Sequence, residues 1–447
     1  MSGAYESIGR YKCISSNCLS IHNFEPLSNQ LCSKPIISNR RLGAAEYPVS
    51  QSGFTHFSYK RQTHSLKNHH CKMLFKATPE FAIAFTKLTS ILGSSWPHYK
   101  NATKCQLIVF NIKWWFFWFM SITAFLPMCY AAYNNTKNIL SFTKSLCDAA
   151  NCSQAFIKML LCKIHYRKLQ FLFYEMEKYV EQARANEREL FVNYIKRCGR
   201  LHVSIMISAM MAAVIIIIAP IGMPQPFPNV AEYPFPVDGH PTFEIIYLQQ
   251  SIATIHCMSI PVFDCQIALL LWYAGARLEL LGDEFQKVTD NQQFVACVKK
   301  HQYLLWFIQE IIMSSRYILA TTVVMCTIAV ITSGVHIVGN EPVADKVPFV
   351  ILSMGLSAVL YLCAWPSEHL AQMCENIGTA LYYSSWIKNS KELNKSILIV
   401  IQRSQKPATI EVAGILPMLS LPYYATFLSK TFSYFTTLRV VLDKMED

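Results

Sequence analysis

Residues 210–220 read MMAAVIIIIAP, with no polar side chain, inside a longer apolar stretch at 201–221. A surface helix of a soluble domain keeps a polar face, and this run has none. Its length is instead what an α-helix needs to cross a hydrocarbon core, roughly 20 residues for about 30 Å. Lipid supplies no hydrogen-bond partners, so the backbone must satisfy itself as helices or a closed barrel. The run therefore fixes the solvent before it fixes the fold. Only 15% of the 447 residues are charged, against about 25% in soluble domains. The deficit is spread along the chain.

Further spans are predicted on either side. Residues 107–130 form the first, with Trp114 and Trp115 as an interfacial belt. The second, 138–162, carries Lys144, Asp148 and Lys158, so one side of it must face protein or water. The third is 201–221, followed by 242–274, 317–338 and 347–365. A last hydrophobic region begins near Ile397, is broken by RSQKP at 403–407, and resumes over 410–441, with Ala413 and Gly414 opening the final helix. The expected architecture is all-α, with seven transmembrane helices. Residues 1–72 are rich in Ser, Asn, His and basic residues without helical periodicity, and are expected to form a disordered or optional extension. Residues 73–100 are expected to form a short amphipathic helix, and 101–447 the seven-helix unit.

Basic residues set the orientation. Between the second and third spans lie Lys163, Arg167, Lys168, Lys178, Arg184, Arg188, Lys196, Arg197 and Arg200, whereas the proline-rich loop at 220–241 holds no Lys or Arg. The positive-inside rule makes the first cytoplasmic and the second extracellular. Counting through seven crossings puts the N-terminus in the cytoplasm and the C-terminus outside, the reverse of a G-protein-coupled receptor. Apolar stripes with Glu/Lys spacing continue past the second span and precede the fifth, so long cytoplasmic helix extensions are expected. Asn134 heads a sequon on the predicted outer side and Asn101 one on the inner side.

The net charge of +12 forms no nucleic-acid reader motif, and cytoplasmic flanks account for it, so no nucleic-acid partner is expected. The 16 cysteines show no CxxC, so no metal site is expected; most read as buried small hydrophobes. HExxH, GxSxG and phosphate-loop patterns are not found. Neither an enzyme nor a cofactor is indicated.

The final 65 or so residues carry the most specific pattern. Tyr382, Ser384 and Trp386 precede the last hairpin, RSQKP follows, and Lys430, Ser433-Tyr434-Phe435 and Thr437-Leu438-Arg439 occupy the last helix. In order and spacing this resembles the C-terminal signature of insect odorant receptors; Ile387 stands where the family has a second aromatic. The resemblance implies a ligand-gated, non-selective cation channel in the plasma membrane of olfactory neuron dendrites. One odorant-tuned subunit type assembles there with a common co-receptor as a heterotetramer, and the last helix of each subunit lines the pore. The segment at 277–316 lacks the long insertion of the co-receptor, which implies a tuning subunit.

The residues themselves allow two readings of that last helix. Positions 430, 434, 437 and 441 share a face: Lys430, Tyr434, Thr437 and Val441. Packing against neighbouring helices explains such a face, with Lys430 snorkelling; a water-accessible path with a constriction explains it too. The resemblance selects the second, with Tyr434, Thr437 and Val441 as pore residues and the gate near Thr437.

The odorant, a volatile small molecule, is expected where apolar, aromatic and weakly polar side chains converge in the outer half of the bundle. Phe142, Met210, Val214, Tyr247, Ser251, Thr254, Phe349 and Ser353 are the candidates. Core packing explains each one singly, and only the cluster points to a ligand. The proline-rich loop is a candidate lid or a stiff connector. Asp264 is an intramembrane acid, either functional or paired for packing. A gustatory receptor of the same architecture would end in a different motif, and a metabotropic heptahelical receptor would need the opposite orientation.

Overall fold

The computed structural model describes residues 78–98, 102–222, 225–237, 239–339, 342–384 and 390–446. The predicted extension at 1–72 lies outside the described residues, as do Asn101, Trp386 and Ile387. The described chain is helical throughout, apart from short connections and one isolated antiparallel bridge between Val412 and Leu416.

Eleven helices follow in order among the described residues: α1 (Pro79–Gly93), α2 (Lys104–Asn134), α3 (Ile139–Ile164), α4 (Tyr166–Gln182), α5 (Ala185–Gly222), α6 (Thr242–Met258), α7 (Pro261–Gln286), α8 (Asn291–Val338), α9 (Val343–Tyr382), α10 (Lys391–Ser404) and α11 (Leu421–Glu446). Their starts are legible in local chemistry. Thr103 and Gln106 cap α2 reciprocally, Asn138 caps α3, Asp290 caps α8 and Ser390 caps α10, each side-chain oxygen taking a backbone N–H that the first turn leaves unpaired.

Five segments among the described residues are long and apolar enough to cross a membrane: α2, α5, α6 with α7, α8, and α9 from Lys346. The remaining two predicted spans, α3 and α11, have 26 residues each, about 39 Å at the usual rise, but they carry more polar side chains. The fourth span is two helices. Pro261 sits at the first position of α7 and has no N–H to donate into α6, while Ser259 turns its hydroxyl onto His256 O at 2.6 Å. The predicted extensions are present as helix. α8 runs for 48 residues, about 72 Å and more than twice a hydrocarbon core. α4 continues α3 after a break at His165.

One boundary corrects the sequence reading. The final helix does not open at Ala413-Gly414. Gly414 adopts a φ of 77°, a left-handed turn that suits glycine, and Val412 N donates to Leu416 O at 2.8 Å across it. Pro417 follows and cannot donate to a helix. The helix begins at Leu421, where Ser420 accepts from Tyr423 N at 3.3 Å.

α7 is the axis of the core. It packs on α9, α8 and α5, and nearly every residue from Val262 to Ala276 is buried. At the basic end of the bundle, Trp272 meets Trp365 edge-on at 5.0 Å and His369 at 5.0 Å. Tyr194 of α5 donates to Glu279 and lies 2.7 Å from His369 Nε2. Deeper in, Asp264 meets Lys158 of α3 at 2.7 Å, with both side chains fully buried, and accepts from Thr322 of α8 at 2.7 Å. Of the two readings of Asp264, the geometry shows the paired one. Cys147, Cys162, Cys265, Cys326 and Cys363 are buried free thiols in this interior.

Candidate functional site

At the end opposite the basic loops, a small cavity of about 50 Å³ lies between α2, α3, α5 and α6 and beneath the proline-rich loop. Ala124 and Met128 of α2, Cys152 of α3, Ile216 of α5 and Ala253, Cys257 and Met258 of α6 form its apolar wall. Asp148 and Asn151 of α3, Thr254 of α6 and Asn229 of the loop supply the polar groups. Few polar groups in an otherwise apolar concavity are the usual make-up of a small-molecule site.

The loop is fastened down as a roof. Asn229 N donates to Gln250 Oε1 at 3.0 Å, and Asn229 Nδ2 to Thr254 Oγ1 at 2.8 Å. Gln250 Nε2 reaches Tyr233 at 3.1 Å. Glu232 accepts from Asn134 Nδ2 at 2.8 Å and Asn135 Nδ2 at 2.6 Å, and its N–H donates to Pro127 O at 3.2 Å. Prolines give this stretch few backbone donors of its own, so side chains of α2 and α6 do the holding.

Of the eight candidate ligand residues, Thr254 lines this cavity. The others go elsewhere. Tyr247 donates to Ile217 O at 2.6 Å, tying α6 to α5, and Ser251 donates back to Tyr247 O at 2.7 Å within its own helix. Val214 is 49% exposed on the outer surface of α5; Met210 and Phe142 are half-buried. Phe349 stacks on His336 at 3.9 Å, and His336 Nε2 lies 3.1 Å from Thr143. Ser353 Oγ is buried with no hydrogen-bond partner among the described residues. The cluster is thus dispersed over two neighbourhoods, one at Thr254 and one at Phe349. Met128, Cys152, Asn229 and Cys257 carried no sequence signal. Asp148 did, as a charge within a span.

In α11 the face bearing the candidate pore residues is not packed within the chain. Lys430, Tyr434 and Thr437 are exposed, as are Thr426, Ser429 and Ser433; the side chain of Val441 lies outside the described residues. The opposite side packs on α8 and α9, with Phe427 buried and Phe435 seated directly against Gly334.

This arrangement of apolar helices with long basic-end extensions defines a multi-pass helical membrane receptor fold. The 7tm odorant receptor family profile matches residues 138–432, and the chain belongs to that family. It is 24% identical over 224 residues to Odorant receptor 10 of Aedes albopictus, spanning 46% of this chain and 58% of that protein. It is 20% identical over 380 residues to Odorant receptor Or2 of Anopheles gambiae, covering 76% of this chain and 98% of the relative. The fold is that of the insect olfactory receptor OR5 from Machilis hrabei, solved in complex with eugenol. The TM-score is 0.70 at 18% identity, over 80% of this chain and 98% of that one.

Proposed function

We propose that this odorant receptor is the odorant-binding subunit of a ligand-gated, non-selective cation channel, assembled with a co-receptor in the plasma membrane of olfactory neuron dendrites. The observation that carries it is the outward face of α11. Thr426, Ser429, Lys430, Ser433, Tyr434 and Thr437 form a polar strip left uncovered by the chain's own helices. Such a strip is costly against lipid and is suited to a water-filled path shared with other subunits. Binding beneath the roofed cavity reaches α11 through α3, α8 and the Gly334–Phe435 contact.

The basic end is cytoplasmic in this reading, and the roofed end faces outward. A glycan on Asn134 and none on Asn101 is the expected modification pattern, and a glycan on Asn101 would reverse the orientation. The functional test is expression with and without an insect co-receptor, recording currents to a broad odour panel. Odour-evoked current only in the pair is expected. Current from the chain alone would remove the heteromer, and silence of the pair to every odour would remove the receptor-channel assignment.

A further inference from the structure

The roofed cavity is small and unevenly equipped. Its roughly 50 Å³ exceeds the about 10–15 Å³ that one water needs and is about a third of the roughly 150 Å³ that takes up benzene, so it holds about two or three non-hydrogen atoms. Four sulfur-bearing side chains, Met128, Cys152, Cys257 and Met258, line it, a soft and polarizable surface for an aliphatic body. Its strongest polar group is an acceptor. Asp148 lies at its edge, facing the Lys144 ammonium one turn away on α3 and the Val230 backbone N–H of the roof. A carboxylate has about four acceptor sites, and one backbone N–H fills only one of them. The Thr254 oxygen already accepts from Asn229, and Asp148 is the charged acceptor among the lining groups, beside the Asn151 and Asn229 amides.

We infer that this cavity takes short-chain aliphatic molecules of about three non-hydrogen atoms that carry one hydrogen-bond-donating head, a primary alcohol or a primary ammonium, placed against Asp148. Acceptor-only volatiles of the same size are disfavoured at Asp148, because an ether oxygen placed against the carboxylate finds no donor there. The inference rests on the odorant-receptor reading and adds to it the ligand class and the residue that selects it.

The test uses the full chain paired with a co-receptor and three probes of equal size: ethanol, ethylamine (protonated at neutral pH) and dimethyl ether, the ether isomer of the alcohol. Alcohol and amine are expected to evoke half-maximal current at concentrations roughly tenfold or more below the ether. Asp148→Asn, which removes the charge and adds an amide donor, erases the amine's advantage and narrows the alcohol's. Asp148→Leu erases both. Equal potency of ether and alcohol in the unaltered receptor overturns the proposal. A second readout does not depend on gating or on the variants folding: alkylation of the folded receptor by iodoacetamide, followed by digestion and mass spectrometry of the peptide that carries Cys257. Ethanol and ethylamine are expected to slow this labelling and the ether to leave it unchanged; protection by all three, or by none, also overturns it. Silence of the channel to every odour with Cys257 still protected selectively would remove the channel reading and leave the ligand class standing.

Discussion

Lys158 Nζ and Asp264 Oδ2 meet at 2.7 Å with neither side chain exposed, and Thr322 completes the site by donating to Asp264 Oδ1 at 2.7 Å. Three helices, α3, α7 and α8, are joined at this point. Removing one partner of a buried pair strands the other charge, which destabilises by about 3–5 kcal/mol, whereas replacing both with apolar residues is often neutral. Lys158→Met alone should therefore lower the melting temperature of the detergent-solubilised receptor sharply. Lys158→Met combined with Asp264→Leu should recover most of the loss. A double variant as unstable as the single one would show that the pair does more than offset its own burial.

Acid should weaken the basic-end bundle through His301. This side chain on α8 is buried against the ring of Phe285. Burial, helped by the nearby Arg403 guanidinium, lowers its pKa from 6.5 to about 4. Above pH 6.5 the imidazole is neutral whether the chain is folded or not, and its contribution to stability is complete. As pH falls below 6.5 the unfolded chain takes up the proton first, so stability declines until about pH 4 and then levels off. At pH 5 the loss is about 2 kcal/mol. Thermal melts at pH 7.5 and pH 5 should differ in that direction, and His301→Gln should flatten the difference. An unchanged slope in the variant would assign the acid sensitivity to other groups.

The division between what the sequence disclosed and what it withheld has a physical basis. Runs such as 210–220 fix a span because hydrophobicity over a helix length needs no knowledge of neighbours. α3 is legible too, because its four charges, Lys144, Asp148, Lys158 and Lys163, are spread among apolar residues. The start of the final helix is not legible in this way: 410–420 is apolar enough to read as helix, yet Gly414 and Pro417 turn the backbone aside. Pairing is a different matter. Lys158 and Asp264 stand 106 residues apart, and each alone looks like an intramembrane charge with no stated partner. The cavity was harder still. Which side of α6 faces a gap depends on how α2 and α5 lean against it, so Thr254 lines the cavity while Ser251, one turn away, bonds within its own helix.

Glu232 is the clasp of the roof. It takes the side-chain amides of Asn134 and Asn135 on α2, and hydrogen bonds to a charged acceptor contribute about 1.5–3 kcal/mol each when buried, less where water competes. Glu232→Ala should loosen the loop without touching the cavity wall. Odour-evoked currents should then decay faster on washout and need several-fold more ligand. Unaltered washout kinetics would mark the loop as a stiff connector.

Gly334 and Phe435 join α8 to α11. A Cβ at position 334 would fall within the Phe435 ring, so Gly334→Ala must push α11 away or rotate the ring out of its seat. Such overpacking usually destabilises by about 1–3 kcal/mol. Gly334→Ala should shift the current–concentration curve or abolish current while surface expression persists. Adding Phe435→Leu, which removes part of the obstruction, should restore it in part. Additive losses in the double variant would separate the two residues and with them the proposed link between bundle and pore.

Thr437 offers the most direct test of the pore. Its hydroxyl donates to Ser433 O at 2.9 Å, so its hydrogen is satisfied within the helix and its oxygen lone pairs face outward. In line with Lys430 and Tyr434, those lone pairs are what a passing cation would meet. Thr437→Val keeps the shape and removes the oxygen. Reversal potentials under bi-ionic conditions, with potassium on one side and sodium or calcium on the other, should shift relative to the unaltered receptor, while the odour concentration for half-maximal current changes little. The pairing of those two results is the discriminating feature. A changed half-maximal concentration at constant reversal potential would place Thr437 at a gating or subunit contact, and no change in either would remove this face of α11 from the pore.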